Sequence, residues 1–272
     1  MELGVSTLLW YEDTLIPNLG LLAAEEIRPI ELRRVPQHLD YNDAAAAGRL
    51  STALTEHGVR VHTLHVPDQL IIAMSGLDEE ARLAAVAEVK LIAAALERVG
   101  GRILVTHCGG PLEDETTRAR QFAAGQQSVA EVARFCRDLG LRVAVENALP
   151  TRLRVGDTVA EVVRFVEGIG LDNLGYCLDT SHASIGEDPV AAVDIVADRL
   201  LTLHISDNDG QSDQHALPFE GTVDWAGFMR ALRASGYDGV FMLEVRATRE
   251  PREMLREAKA RFEALARMCS GA

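Results

Sequence analysis

Short runs of apolar residues alternate along the chain with longer segments in which apolar residues recur at helical spacing. Several of the short runs are almost continuously hydrophobic, as expected of parallel strands that are covered on both faces. The pattern predicts eight strands, at 4–9, 29–33, 59–65, 102–107, 142–146, 174–178, 200–205 and 240–244. A regular alternation of strands and helices is typical of a parallel sheet.

The segments between the strands have recognisable helix ends. A helix is predicted over 78–99, where it stops at two glycines. Its apolar positions at helical spacing are Leu83, Val86, Val89, Ala93 and Leu96. Asp224 is a favourable N-cap for a later helix, and the last helix is predicted to begin near Pro251, a residue tolerated in a first turn. These signals support the assignment of helices between strands.

Eight strand-helix units fill the length typical of a closed (β/α)₈ TIM barrel, which is about 250 residues. The competing fold, an open doubly wound sheet, predicts a glycine-rich turn after the first strand. No G-x-G-x-x-G or G-x-x-x-x-G-K-[ST] motif occurs, and no linker or composition break divides the chain. We therefore predict an α/β protein consisting of one (β/α)₈ barrel over residues 1–272.

Composition and charge narrow the classes of function. The formal net charge is −14 at pH 7, and such a surface repels phosphate backbones and anionic membranes, so nucleic acid is disfavoured as a partner. No run of about 18 uninterrupted apolar residues predicts a membrane span. The first residues lack the features of a signal peptide, and four cysteines without a C-x-x-C pair fit a reducing compartment. We expect a cytoplasmic protein.

Residues able to bind a metal stand at the ends of six consecutive predicted strands. They are His65, His107, Glu146, Asp179, His204 and Glu244. In a barrel the carboxyl ends of all strands converge on one mouth. Three carboxylates and three histidines crowded there repel or desolvate one another unless a cation compensates them. The sequence therefore predicts a metal site at the mouth.

The loops after strands six and seven add candidates. His182 follows the aspartate of strand six by three residues, so a single turn can direct both side chains at one ion or at neighbouring ions. The loop after strand seven, HISDNDGQSDQH, adds Asp213 and His215. It is not an EF-hand calcium loop, because its glycine stands at the fourth position rather than the sixth. We interpret Asp207 and Asp209 in this loop as solvated turn residues.

With these residues placed, the sequence resembles the xylose isomerase-like TIM-barrel superfamily, which includes sugar epimerases, sugar-phosphate isomerases and endonuclease IV. The resemblance is densest in the phrases VAVENALP, YCLDTSHA, LTLHISDNDGQSDQHALPFEGTVDW and GVFMLEV. For the epimerase-like members it implies one divalent ion, such as manganese, cobalt, magnesium or zinc. Its ligands here would be Glu146, Asp179, His204 and Glu244. The two glutamates would also be the catalytic acid and base.

Endonuclease IV implies a larger site of three zinc ions, bound by five histidines and four acids. The same residue types occur here in the same order: His65, His107, Glu146, Asp179, His182, His204, Asp213, His215 and Glu244. In this alternative His182, Asp213 and His215 serve a second or third ion. In the epimerase-like alternative His182 instead hydrogen-bonds a substrate hydroxyl.

Four features depart from these relatives. Phe219 replaces a glycine that is common in the loop after strand seven, and Gly210 stands where ketohexose epimerases tend to carry an arginine. The stretch ENALPTRLRVG also lacks their second glutamate after strand five. The short predicted loops and the negative charge do not match the DNA-penetrating loops of endonuclease IV. These departures leave the metal-binding residues unchanged.

The sequence thus predicts a metal-dependent isomerase or epimerase of a sugar or sugar phosphate, acting by proton transfer next to a carbonyl. The alternatives are an endonuclease IV-like zinc phosphodiesterase, a metal-dependent dehydratase of a polyol or hydroxy acid, and a barrel that only binds a small ligand. Arg246 is predicted to bind a phosphate or carboxylate of the carbohydrate-like substrate, or else to form a surface ion pair. The outer helices of barrels often pair, so a homo-oligomer is also a prediction.

Overall fold

Eight parallel strands form the centre of the computed structural model, which describes residues 1–112, 114–150 and 153–270. The strands are β1 (Glu2–Ser6), β2 (Pro29–Leu32), β3 (Arg60–His65), β4 (Ile103–His107), β5 (Arg142–Glu146), β6 (Leu174–Asp179), β7 (Leu200–His204) and β8 (Val240–Leu243). Neighbours along the chain pair from β1 to β7, and β1 also pairs with β8. A bridge between Ile205 and Leu243 joins the ends of β7 and β8. The sheet therefore closes, and the predicted (β/α)₈ barrel is confirmed.

Helices cover the outside of this barrel. The α-helices of the described residues are α1 (Leu19–Ala24), α2 (Ala44–His57), α3 (Asp68–Met74), α4 (Glu79–Arg98), α5 (Arg118–Asp138), α6 (Val159–Ile169), α7 (Thr180–Ser184), α8 (Pro189–Val196), α9 (Trp225–Ala234) and α10 (Pro251–Ser270). Short 3₁₀ helices span Thr7–Trp10, Ile16–Asn18, Glu115–Thr117 and Ala197–Arg199. Within the described part of the chain, no helix combines the length and the hydropathy that crossing a membrane requires.

The helix ends follow the local chemistry of the sequence. The carboxylate of Asp78 accepts hydrogen bonds from the amides of Glu80 and Ala81 at the start of α4. Asp224 does the same for the Gly227 amide at the start of α9. Each cap pairs amide groups that have no partner within the helix, and this fixes where the helix begins.

Two sequence predictions are wrong in detail. The first strand was predicted at 4–9 but spans Glu2–Ser6, because the Ser6 hydroxyl accepts from the Leu8 amide and starts the 3₁₀ helix. The residues of that helix are all buried, so hydrophobicity alone does not separate it from a strand. Leu83 is exposed rather than buried. Arg82 occupies that part of the helix interface instead and donates to the Ser128 hydroxyl at 2.9 Å.

The strands place two chemically different layers inside the barrel. Ile103, Val105, Ala144 and Cys177 form a small apolar cluster that is separate from the main hydrophobic core. Successive side chains of a strand point to opposite faces, so residues two positions further along β4, β5 and β6 share this face. Those residues are His107, Glu146 and Asp179. The barrel interior therefore changes from apolar to ionisable toward the carboxyl ends of its strands.

Candidate metal centre

The structure brings the six predicted strand-end residues together at the mouth of the barrel. His65, His107, Glu146, Asp179 and His204 are the last residues of β3 to β7, and Glu244 directly follows β8. All six are buried. The parallel arrangement puts these strand ends at one rim, which explains how residues far apart in the sequence become neighbours.

Four of these residues form what we call the primary cluster: Glu146, Asp179, His204 and Glu244. One potential ligand atom from each lies within 4.8 Å of the others. Nδ1 of His204 is 3.2 Å from Oε1 of Glu146 and 3.4 Å from Oε2 of Glu244. One ring nitrogen and three carboxylates at these separations are a suitable ligand set for a divalent cation.

Unpaired polar atoms test whether the primary cluster fits a cation. Oδ2 of Asp179 and Nδ1 of His204 are buried, and neither makes a well-formed hydrogen bond to any described residue. Burial raises the pKa of Asp179 to about 6, and the carboxylates of Glu146 and Glu244 act in the same direction, although His182 opposes them. Buried polar atoms are normally paired. The cluster therefore has too little positive charge by itself, and its residues fit a divalent metal ion.

Four further contacts set which ring nitrogen each of the other candidate histidines offers to a metal. Nδ1 lies within hydrogen-bond distance of a backbone carbonyl in each case: His65 to Val66 (2.7 Å), His107 to Glu146 (3.3 Å), His182 to Asn147 (2.9 Å) and His215 to Glu244 (2.9 Å). A carbonyl can only accept, so Nδ1 carries the proton and Nε2 keeps its lone pair when the ring is neutral. Hydrogen bonds of this kind are characteristic of metal-ligating histidines.

A second group of ligand atoms lies beside the primary cluster. Nε2 of His65 is 3.1 Å and Nε2 of His107 is 3.8 Å from Oε2 of Glu146, and the three atoms lie within 4.8 Å of one another. Burial lowers the pKa of His107 to about 3 and keeps its ring neutral. Neutral imidazole is the form that binds metals.

The remaining predicted residues lie nearer the opening. Oδ2 of Asp213 is 2.9 Å from Nε2 of His215 and 3.7 Å from Nε2 of His182. His182 also lies 3.5 Å from Glu146, which links this outer group to the primary cluster. Arg246 is exposed at the rim, and β8 has already ended at that point. The strand geometry expected for Arg246 is therefore absent, although its side chain still lines the mouth.

One loop residue differs from its sequence interpretation. Asp209 is an exposed turn residue, as predicted, whereas Asp207 is completely buried. The Asp207 carboxylate accepts hydrogen bonds from the amides of Phe219 and Val223 and from the indole of Trp225. It therefore organises the loop that carries Asp213 and His215. Asp207 and Asp209 are both aspartates of one loop, and the sequence does not distinguish the buried one from the exposed one. The interpretation of Asp207 as solvated was wrong.

Sequence reasoning missed the role of Glu31, which lies in β2 and is completely buried. Its carboxylate accepts hydrogen bonds from the hydroxyls of Ser6 (3.0 Å) and Thr63 (2.9 Å) and contacts Nε2 of His204 at 2.8 Å. Burial opposes its ionisation, but His204 outweighs burial and lowers the pKa of Glu31 to about 2. An ionised carboxylate here keeps a proton on Nε2 and directs Nδ1 of His204 into the primary cluster. The sequence signal that could have revealed Glu31 was a single charged residue within an otherwise apolar strand.

Replacing Glu31 by glutamine should weaken metal binding by about 10- to 100-fold, as is typical when a carboxylate behind a ligating histidine is lost. The substitution preserves the size of the side chain and removes the charge that makes His204 a more basic ligand. Metal dissociation constants, measured by competition with a chelating dye, give the readout. Glu80→Gln makes the same chemical change at an exposed position and should leave the constant unchanged. Equal affinities for Glu31→Gln and wild type would contradict the prediction.

Fold and site together define a (β/α)₈ barrel with a buried cluster at its mouth that can hold a divalent metal. The chain belongs to the xylose isomerase-like TIM barrel family, whose model matches residues 20–265. The predicted family relationship is therefore confirmed.

Proteins with known names are similar over part of the chain. The fructoselysine 3-epimerase of Escherichia coli O157:H7 is 28% identical over 142 residues, which are 51% of this chain and 52% of the relative. The D-psicose 3-epimerase of Agrobacterium fabrum is 29% identical over 151 residues, or 55% of this chain and 50% of the relative. The chain thus spans about half the length of the curated relatives it matches.

A solved structure is similar over almost the whole length. The crystal structure of the IOLI protein with a bound zinc atom superposes with a TM-score of 0.84 and 18% identity, and covers 97% of this chain and 98% of its own. At this identity the likeness establishes the fold alone.

Proposed function

We propose that this protein is a divalent-metal-dependent isomerase or epimerase of a sugar or sugar phosphate, acting by proton transfer next to a carbonyl group. The observation that carries the proposal is the primary cluster, in which two buried glutamates flank one histidine nitrogen. The names of the two epimerases that resemble the chain support the same class of reaction.

Glu146, Asp179, His204 and Glu244 would hold the ion, which we propose to be manganese, cobalt, magnesium or zinc. A divalent cation, when bound, polarises a carbonyl and stabilises the negative charge that develops on the substrate oxygen. Oδ2 of Asp179 and Nδ1 of His204, which lack hydrogen-bond partners in the described part of the chain, support the same role for this set.

The two glutamates have different surroundings, which suits them to opposite roles in proton transfer. Oε1 of Glu244 lies 3.0 Å from Nε of Arg33, so this carboxylate is paired with a guanidinium. Burial alone would raise the pKa of Glu146, but the imidazole of His204 outweighs it and holds that pKa well below its usual range. Both side chains carry a carboxyl group within the primary cluster, where a substrate carbonyl would lie. One would remove the proton from the carbon next to the carbonyl, and the other would return it on the opposite face or to the neighbouring carbon.

A second candidate function is hydrolysis of phosphate esters with more than one zinc ion. The group formed by His65, His107 and Glu146 favours it, because it offers a second set of ligand atoms next to the primary cluster. The outer group of His182, Asp213 and His215 would then contribute to the same site. If these residues held two or more zinc ions, the ions would supply positive charge for both the attacking and the leaving oxygen of a phosphoryl group.

Solvent-deuterium incorporation separates the two candidates. The metal-loaded protein is incubated in D₂O with neutral and phosphorylated ketoses, and the substrates are followed by NMR. We expect deuterium to appear on the carbon next to the carbonyl, because the abstracted proton exchanges with solvent before it returns. In parallel, hydrolysis of bis(p-nitrophenyl) phosphate is measured on the same preparation. Hydrolysis without deuterium incorporation into any ketose would reject the isomerase proposal in favour of the second candidate.

A further inference from the structure

Two cavities lie one behind the other at the mouth of the barrel. The inner cavity, of about 160 Å³, is lined by Glu146 and Glu244 of the primary cluster. The outer cavity, of about 870 Å³, lies against the loops that follow β1, β2 and β3. The residues that line both cavities, and so stand where they join, are Arg33, Asp68, His215 and Arg246.

The sizes of the cavities determine how a substrate can lie. Small-molecule sites usually occupy about 300–1,000 Å³, so the inner cavity is too small to hold a typical ligand by itself. If the reacting carbons lie at the primary cluster, the rest of the molecule extends through the junction into the outer cavity. The side chains at the junction, above all Arg33 and Arg246, therefore face the part of the substrate that does not react.

The two arginines at the junction differ in their partners. Nε of Arg33 lies 3.0 Å from Glu244, and its Nη2 lies 3.8 Å from Asp68. The amide of Arg246 donates to the carbonyl of His215, but its guanidinium has neither an ion pair nor a hydrogen bond within the described chain. Arg33 is thus neutralised by the protein, whereas Arg246 has its full charge available to a ligand.

The third arginine of the outer cavity is occupied as well. Arg34 lies 3.5 Å from the Glu12 carboxylate, and its guanidinium stacks over the ring of Tyr11 at 4.7 Å from the ring centre. Among the arginines that line the outer cavity, Arg246 alone is unpaired within the described residues.

We propose that the substrate carries an anionic group, a phosphate or a carboxylate, which Arg246 binds at the junction of the two cavities. A guanidinium presents parallel donors that match the oxygens of either group. The carboxylates of the primary cluster repel an anion, so this group lies at the end of the substrate remote from the reacting carbons. The inference rests on the proposed function, because it takes the primary cluster as the place of the reaction.

Calorimetric titration of the metal-loaded protein with three ketoses tests this inference: D-fructose, D-fructose 6-phosphate and D-fructuronate. We expect one of the two anionic ketoses to bind about tenfold or more tightly than D-fructose, because a charge-assisted hydrogen bond is added. A preference for the phosphate or for the carboxylate identifies which group is recognised. Arg246→Ala should remove the preference and leave the affinity for D-fructose within about twofold.

Arg252→Ala is the matched control, since it removes the same charge from an exposed position on α10. It should leave all three affinities unchanged. The inference is overturned if neither anionic ketose binds more tightly than D-fructose, or if both arginine variants lose the preference equally. Deuterium incorporation in the same samples distinguishes the two proposals. If deuterium exchanges into D-fructose but neither anionic ketose binds more tightly, the proposed function stands and the anion site is rejected. If an anionic ketose binds more tightly but no ketose exchanges deuterium, the anion site at Arg246 stands and the proposed function is rejected.

Discussion

Asp179→Ala is expected to reduce the bound metal from about one ion per chain to almost none. The substitution removes a carboxylate of the primary cluster together with its Oδ2, a buried oxygen that makes no hydrogen bond to any described residue. Removing one of the four proposed ligands leaves three. The expected loss in metal affinity is about 100-fold or more. Mutating a residue that only hydrogen-bonds to a ligand already costs up to about 100-fold.

Metal content of the tag-free protein, measured by inductively coupled plasma mass spectrometry, gives the readout. Asp179 also caps α7 through a 2.7 Å contact to the His182 amide, so the alanine variant should lose about 1 kcal/mol of stability. Asp179→Asn can keep the cap while it removes the charge, and should lose metal as well. Normal thermal unfolding together with lost metal then locates the effect at the cluster.

His215→Ala tells the one-ion and several-ion alternatives apart. His215 contacts Asp213 and lies outside the primary cluster, so a site with one ion should keep its metal in this variant. Two or three zinc ions per wild-type chain, reduced by His215→Ala, would favour the phosphate-ester hydrolase. Full metal occupancy of Asp179→Ala would show that the primary cluster is not the metal site.

Glu146→Gln and Glu244→Gln are each expected to slow deuterium incorporation by about 10²- to 10⁴-fold, the range in which general acid-base catalysis contributes. Glutamine has nearly the same size as glutamate but cannot accept the proton. The double variant should be about as slow as the slower single variant, because residues that act as a unit do not contribute additively. The rate is measured by NMR in D₂O at saturating metal, with the bound metal quantified in each sample.

Bound metal decides how these rates are interpreted. Oε2 of Glu244 lies 3.4 Å from Nδ1 of His204, so either glutamine variant also weakens the ligand set, and only samples with equal metal are compared. Glu263→Gln, an exposed residue on α10, makes the same chemical change and should keep the wild-type rate. If the wild-type protein catalyses no reaction, across a broad panel of ketoses, that the double variant fails to catalyse, the glutamates are not catalytic and the proposed enzyme function is rejected.

Much of the fold follows from local patterns in the sequence. Seven of the eight strands were predicted to within one residue of their ends, because near-continuous apolar runs mark strands buried on both faces. The exception, β1, is followed by a buried 3₁₀ helix that extends the same apolar run. The side-chain hydrogen bond of a cap such as Ser6 ends the strand, and the pattern of apolar positions carries no information about that bond.

The residues that support the site were harder to predict than those at its centre. Glu31, Arg33 and Asn147 all contact candidate ligand residues. Asn147 holds β6 in place: its side-chain carbonyl accepts from the Asp179 amide at 2.8 Å, and its amide donates to the Asp179 carbonyl at 3.1 Å. Such partners belong to other strands or loops, so their distance along the chain gives no hint of the contact.

The sequence by itself determined that this chain is a barrel and that residues able to bind a metal stand at the ends of six strands. Both conclusions follow from periodicity, since parallel strands of a closed barrel always bring their carboxyl ends to one rim. Only the tertiary structure decided which atoms meet there: Nδ1 of His204 and the guanidinium of Arg246, neither of which has a hydrogen-bond partner among the described residues, and the buried Glu31 behind His204. These contacts depend on how the sheet closes and how the loops fold over it, and the pattern of apolar positions encodes neither.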